Sequence, residues 1–556
     1  MLVFRDGRRQ VAAQELLLRL KQSCRSLPAS PKPDDLLDPL LRAGELECAL
    51  SDACEESSPA RSLSQQVTDN IADQFAGRVA ETAENLLARF AAIALPELVS
   101  VSTPEGFAYY GLDPRAYEQL ALAAAEEKRP VAIIGIRSIG TTLSAVAVAA
   151  LRDRGIPSAR ITTRPEGHPF DRQLRFSANH RHFVAEWRAC NARFLIVDEG
   201  PGLSGSSFLS VAEALEGEGI SPSDILFLAS RDAAPESLCA RDAAVRWPRY
   251  RKLIASFSAT PDDAEIWLGG GQWREHWLSN SSRSDWPANW PQTERNKFLS
   301  RDGQWLYKFE GLGPYGEAPS QRAQALAEFG FAPELRKSTP GYIAYKVMSG
   351  RPAQRRDLNE QVLSRIADYC ALRVRAFPAG RVRAGEDSDA LETMARVNAL
   401  EEFGLDVDFS GELEIVHPVI CDGHMMPHEW LLTTDGRFLK SDGVSHGDDH
   451  FFPGPCDIAW GLAGTIVEWD LSREATEFLC EHYCRASGDD LKPRLEPYLL
   501  AYSLFRQGFC AMAANAVARS DEEARLRAAH RRYRSSAEQA LAKREGILAA
   551  ASQISG

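Results

Sequence analysis

Asp198 and Glu199 stand side by side at the end of four apolar residues, Phe194 to Val197. A loop carrying Gly200, Pro201 and Gly202 then leads to Ser204-Gly205-Ser206-Ser207 and to a helical pattern from Phe208 to Leu215. Carboxylates so placed can accept hydrogen bonds from ribose hydroxyls or hold Mg²⁺. The Ser hydroxyls and the first N–H groups of the helix can take a phosphate, because those donors lack partners within the helix and its dipole favours anions. The same residues also suit a plain strand–turn–helix with solvated acids and a Ser cap. A second concentration of chemistry lies further on. His424, His428, His446 and His450 gather with Asp448 and Asp449. These are residue types of a transition-metal site, but their spacing matches no zinc pattern, and loop histidines are the simpler reading.

The elements around Asp198 decide between the two readings. Pro130-Val-Ala-Ile-Ile-Gly135 reads as a buried strand, Arg137 to Thr142 as a loop and Leu143 to Arg152 as a helix. Further strands are expected at Ser158 to Thr163, Phe194 to Val197 and Ile225 to Ser230. This alternation implies a parallel α/β sheet, with ligands at the C-terminal ends of its strands. Both loops of interest leave such ends, which favours the phosphate reading.

Asp198-Glu199 followed by Ser204-Gly205-Ser206-Ser207 resembles the phosphoribosyl-pyrophosphate motif of type I phosphoribosyltransferases. The resemblance spans about residues 100–260, and its loop is one residue longer than the family pattern between the acids and the Ser-Gly. It implies that Asp198 and Glu199 meet the ribose, that Ser204 to Ser207 take the 5′-phosphate, and that Arg137, Ser138 and Gly140 meet pyrophosphate. Arg164, with His168 and Arg172, falls where the family carries a flexible basic loop. For His168 alone, a surface histidine is the simpler assignment. A guanidinium suits phosphate because its fork donates several charge-assisted bonds.

Beyond a Gly-, Trp- and Ser-rich passage the texture changes. Lys297 to Phe309 reads as a hairpin about Asp302-Gly303. A helical stretch, Ser320 to Phe329, a strand at Gly341 to Gly350 and a mostly helical remainder follow. This order resembles the protein-kinase-like fold of the aminoglycoside phosphotransferase group. The resemblance implies that Lys308 meets nucleotide phosphates, that Tyr342 to Met348 form the hinge beside adenine, and that Glu317 partners the lysine. In Asp422-Gly-His-Met-Met-Pro-His-Glu429, Gly423 and Pro427 match the family's His-Gly-Asp-x-x-Pro-x-Asn, and Asp442 falls where its metal-binding Asp is expected. Asp457 resembles the family's structural Asp. His424 replaces the catalytic Asp and Glu429 the metal-binding Asn. Glu is a competent Mg²⁺ ligand, and His can act as a general base. A degenerate, non-catalytic kinase fold accounts for the same two substitutions.

The composition is that of a soluble globular protein, 44% hydrophobic and 25% charged over 556 residues. A net charge of −13 argues against general nucleic-acid binding or an anionic membrane surface. Eleven scattered cysteines without a CxxC pair suit reduced thiols, and no stretch suits a signal peptide or membrane span. A cytoplasmic protein is expected. The organisation read is a helical region at 1–95 with an accessory or oligomerising role, a phosphoribosyltransferase-like α/β parallel-sheet domain at 96–265, a linker at 266–294, and a kinase-like α+β domain at 295–556. Basic residues between Ser520 and Ala551 are expected to face water or a partner helix. The function read is phosphoribosyl transfer to a small acceptor, coupled to an ATP- and Mg²⁺-binding phosphotransferase of nucleotide-type small molecules. The alternative is a nucleotide-sensing regulator in which neither fold turns over.

Overall fold

The computed structural model describes residues 1–5, 7–78, 81–125, 129–255, 260–279, 281–379, 384–447, 449–451 and 454–554. The chain opens with strand β1 (Arg9–Ala12) and helices α1 (Ala13–Arg25), α2 (Pro33–Ala53), α3 (Pro59–Phe75) and α4 (Ala83–Ala88). Pro33 starts α2, and Asp35 reaches back to the Lys32 N–H at 2.8 Å, closing the first turn. Strand β2 (Leu98–Val101) returns antiparallel to β1. A short helix α5 (Glu105–Ala108) and α6 (Pro114–Ala124) lead into the sheet.

That sheet comprises β3 (Val131–Ile136), β4 (Ser158–Thr163), β5 (Arg193–Val197), β6 (Ile225–Ala229) and β7 (Arg251–Ile254). Helices α7 (Ile139–Asp153), α8 (Ala178–Ala189), α9 (Ser206–Gly217) and α10 (Ala243–Arg246) lie between the strands in sequence. All neighbours pair in parallel, in the order β4-β3-β5-β6-β7. β3 and β6 are buried along their whole length, which is why they read as unbroken apolar runs. The strand order reverses between β3 and β5. The loops beginning at Arg137 and Asp198 therefore open at the switch point, where α/β sheets bind ligands.

The N-terminal helices pack into the core of the parallel sheet. Leu40, Leu46 and Leu50 of α2 share one apolar core with Ile133 of β3 and Leu195 of β5. Arg160, on β4, is 1% exposed in its side chain and joins Glu47 of α2 at 2.7 Å and Asp69 of α3 at 2.6 Å. Removing both acids would strand a buried guanidinium, so the pairing fixes the helices on the sheet.

A second, wholly antiparallel sheet runs β11-β12-β10-β9-β8. Its strands are β8 (Ala264–Trp267), β9 (Lys297–Ser300), β10 (Trp305–Phe309), β11 (Leu335–Lys337) and β12 (Tyr342–Lys346). The expected hairpin forms between β9 and β10, with Gly303 at φ +69° and the Asp302 carboxylate accepting from the Gln304 N–H at 3.0 Å. The expected linker departs from its reading, because it supplies the outer strand β8 and a short helix α11 (Trp273–Trp277). Helix α12 (Glu317–Glu328) follows β10.

The rest comprises small strands β13 (Gly350–Pro352), β14 (Pro418–Ile420), β15 (Trp430–Thr433), β16 (Phe438–Lys440) and β17 (Pro455–Asp457). They sit among helices α13 (Glu360–Ala376), α14 (Ala384–Phe403), α15 (Ala459–Trp469), α16 (Arg473–Ser487), α17 (Lys492–Ala516) and α18 (Asp521–Ile554). Helix α18 docks through a basic residue expected to face water or a partner helix. Its Arg532 reaches inward to Glu468 of α15 at 2.8 Å, and Glu468, 1% exposed, also accepts from Tyr502 and Tyr533, each at 2.7 Å. Among the described residues, no helix is long and apolar enough to cross a membrane.

Candidate functional site

At the switch point of the parallel sheet, Arg137 to Gly140 occupy the entry to α7. Ser138 has φ +121°, a conformation L-residues rarely adopt and one that clusters where a structure over-determines its backbone. Arg137 donates to Asp52 at 2.6 Å and to the Ser51 carbonyl at 2.8 Å. Arg164 donates to the same Asp52 carboxylate at 2.8 Å and to the Cys48 sulfur at 3.3 Å. The two arginines assigned to pyrophosphate are thus both engaged by α2. Gly140 departs from its assigned role: it lies buried within α7, where a Cβ would stand 2.4 Å from the Val197 carbonyl oxygen. Its part is to let the helix start approach β5.

Across the switch point, Gly205 adopts φ +68° and precedes the first turn of α9, which begins with Ser206 and Ser207. The Ser204 and Ser206 hydroxyls donate to the Pro169 carbonyl at 2.7 and 2.8 Å. The loop after β4 therefore folds over the Ser-rich loop. His168, on that loop, is exposed. The two acids have different partners. Glu199 accepts from the Gly106 N–H of α5 at 2.9 Å. Asp198 has its backbone carbonyl tied to the Tyr117 hydroxyl at 2.7 Å, and its carboxyl lies in the field of Arg164 and Arg172. Burial pushes Asp198 up to about 8 against those two cations, and burial also raises Glu199.

The C-terminal site is built around three lysines. Lys308 of β10, only 3% exposed, pairs with Asp442 in the loop after β16, with Glu310 at 3.1 Å and with the Ser445 hydroxyl at 3.3 Å. Lys297 of β9 lies 3.6 Å from Asp442. Lys440 of β16 lies 3.4 Å from Asp422 and 3.6 Å from Glu429. Burial opposes ionisation of Asp422, Glu429 and Asp442, yet Lys440 holds the first two, and Lys308 the third, well below the usual carboxylate range. Glu317 is not the lysine's partner. It pairs with Arg42 of α2 at 2.9 Å, because α12 begins beside the N-terminal helices. His424 lies 3.6 Å from Glu429 and stacks on His446 with centroids 3.6 Å apart. Asp457 acts structurally, accepting from the Ala459 N–H at 2.8 Å and pairing with Arg494 at 3.0 Å.

The remaining histidines disperse. His428 stacks on Trp273, and His450 stacks on Phe4 with centroids 5.3 Å apart. Burial pushes His428, His446 and His450 each down to about 4. Asp448 lies outside the described residues. Among those described, no group of three or more His, Cys, Asp or Glu is placed to hold a metal ion. Glu429 and Asp442 nonetheless form a pair of hard, ionised oxygen donors beside a lysine, which suits Mg²⁺, an ion that takes one or two carboxylates together with phosphates and water.

The segment after β2 joins the two sites. Gly106 binds Glu199, the Ala108 carbonyl accepts from Arg295 at 3.1 Å, and Arg295 also reaches the Ser445 carbonyl at 3.4 Å. Ser445 is the residue whose hydroxyl meets Lys308. Sequence reasoning missed Asp52, Lys297, Lys440 and Arg295. Lys440 alone carried a signal, as a lysine two residues before Asp442 in an apolar strand.

No family model matches the chain, and no curated protein matches it. Among solved structures, a choline kinase from Streptococcus pneumoniae is similar at 13% identity and a TM-score of 0.31, covering 43% of this chain and 89% of its own. An ethanolamine kinase from Plasmodium vivax gives 11% identity and a TM-score of 0.30, over 44% of this chain and 79% of its own. An aminoglycoside phosphotransferase from Alicyclobacillus acidocaldarius gives 15% and 0.29, over 52% and 96%. Likenesses at this level do not define the fold of the chain.

Proposed function

We propose that residues 295–556 bind ATP with Mg²⁺ in a phosphotransferase-type site. The observation that carries this reading is the convergence of Lys308, Asp442, Glu429 and Lys440 from two separate sheets on one polar centre. Lys308 and Lys297 would meet phosphate oxygens as Asp442 and Glu429 turn to the metal, which when bound neutralises charge on the phosphates. His424, held beside Glu429, is the group placed to take a proton from an acceptor hydroxyl. Calorimetric titration with ATP and Mg²⁺ tests the reading. A saturable signal should weaken at least about tenfold in Asp442→Ala, and equal binding by that variant would sink it. A non-catalytic nucleotide sensor is supported by one feature. Asp422, which accepts from the His424 backbone N–H at 3.0 Å, is locked by Lys440 and by the Tyr369 hydroxyl at 2.6 Å, so it is not free to act as a base beside His424. Transfer of label from the γ-phosphate of ATP to any small acceptor would exclude the sensor.

For the central domain we propose binding of phosphoribosyl pyrophosphate and transfer of its phosphoribosyl group. The support is the parallel strand order with both loops at the switch point, together with the hydroxyl-rich start of α9. Asp198 and Glu199 would meet the ribose, Ser204 to Ser207 the 5′-phosphate, and Arg137 with Arg164 the pyrophosphate. Titration with phosphoribosyl pyrophosphate should give heat that disappears in Asp198→Ala. Silence from the unaltered protein would leave the domain a shared architecture without the shared substrate.

A further inference from the structure

Between α2, the end of β2 and the start of α7 lies a cavity of about 250 Å³. Ser138 and Arg164, read above as pyrophosphate residues, stand at its edge, but Asp198, Glu199 and the Ser204–Ser207 loop do not line it, so it adjoins the ribose and 5′-phosphate positions without including them. Its walls come from four separate parts of the chain: Glu45 from α2, Ser100 and Ser102 at the end of β2, Ser138 at the start of α7, and Tyr315 just before α12. Helices α2 and α7 pack closely beside it. A Cβ on Gly44 of α2 would stand 1.8 Å from the Thr142 hydroxyl oxygen, so α2 and α7 meet backbone to side chain.

Two of the polar groups facing this space lack partners. Glu45 is half-buried and makes no hydrogen bond or ion pair among the described residues. The cations around it include Arg42, which is taken by Asp38 and Glu317, each at 2.9 Å, and Arg19, which is taken by Glu15. Arg9, the third, is exposed on β1. The Tyr315 hydroxyl likewise has no hydrogen-bond partner among the described residues. Two cations line the cavity, Arg8 and Arg164, and Arg164 is already held by Asp52. An unpaired carboxylate facing a preformed polar chamber is costly unless something cationic meets it.

We propose that this chamber binds a small amine carrying hydroxyl groups, with its ammonium on Glu45 and its hydroxyls on Ser100, Ser102 and Tyr315. The inference rests on the cavity and holds whether or not phosphoribosyl pyrophosphate is the donor. Burial raises Glu45, as befits a carboxylate awaiting a counter-charge.

The test is calorimetric titration of the full chain with glucosamine and with 2-amino-1,3-propanediol, against glucose and glycerol as uncharged counterparts. The amines should bind at least about tenfold more tightly than their counterparts, since the contact is charge-assisted. Glu45→Gln should remove that preference while thermal melting shows the variant folded. Ala49→Leu, which fills the cavity from α2, should weaken both amines. Asp442→Asn should leave amine binding intact, which separates this chamber from the acidic C-terminal site. Four outcomes overturn the proposal: no binding, equal binding of amines and neutral counterparts, a preference that survives Glu45→Gln, or a preference lost only in Asp442→Asn.

Discussion

Asp198 and Asp442 both lie just beyond buried strands, yet the protein treats them oppositely. Asp198 follows β5 with Arg164 and Arg172 as the cations whose fields lower it among the described residues, and burial pushes it up to about 8. Asp442 follows β16 among Lys308, Lys297 and Lys440, and stays ionised far below the usual range despite the same burial. The cations in the central region are spent differently. Arg137 and Arg164, which follow β3 and β4, close on Asp52, a residue of the N-terminal helices, rather than on Asp198 and Glu199 after β5. Burial alone therefore says little about a carboxylate, and the nearest cation that is free to meet it decides its state.

The largest effect expected from breaking this contrast is at Lys440. Its side chain is fully enclosed between Asp422 and Glu429. Lys440→Met should cost about 3–5 kcal/mol, because it strands two buried carboxylates. Urea denaturation would read this as a large fall in midpoint, and an unchanged midpoint would show that water reaches those acids. Next comes Arg295, which ties Ala108 to Ser445. Arg295→Met should cost about 2 kcal/mol through two lost hydrogen bonds from a charged donor, seen in the same assay, and should loosen the Lys308 contact seen as weaker ATP binding.

Asp52→Asn sharpens the central side. It removes the charge that engages Arg137 and Arg164, so inorganic pyrophosphate should bind roughly three- to tenfold more tightly. No gain in calorimetry would mean the arginines do not face an anion site. The smallest effect concerns pH. Asp198 holds a proton in the folded chain that the unfolded chain releases above its ordinary carboxylate range, so folding stability falls as pH rises toward about 8. Asp198→Asn removes that fall. Its stability advantage over the unaltered protein should therefore grow by about 1 kcal/mol between about pH 5 and pH 6, and a constant difference would place Asp198 at an ordinary pKa.

Much of the scaffold was legible in the residues themselves. Val131 to Ile136 and Ile225 to Ala229 are covered on both faces, so their apolar runs announce parallel strands. Asp302-Gly303 announces its hairpin because the turn needs a residue at positive φ. Both depend on groups close together in the chain. The assignment of Glu317 to Lys308 failed because α12 starts against α2, a packing choice that no local pattern records.

What the sequence determined by itself was β3 to β6 of the parallel sheet, the β9–β10 hairpin, the hydroxyl-rich helix start and the two acids that follow β5, since periodicity and turn chemistry act over a few residues. Which charges meet was decided only by the tertiary structure. Glu45, Cys48 and Asp52 recur on α2 at ordinary helical spacing, and nothing in that spacing tells a solvated face from the wall of a cavity. Their role follows from Arg160 and Gly44 drawing α2 against the sheet, through contacts about a hundred residues apart in the chain.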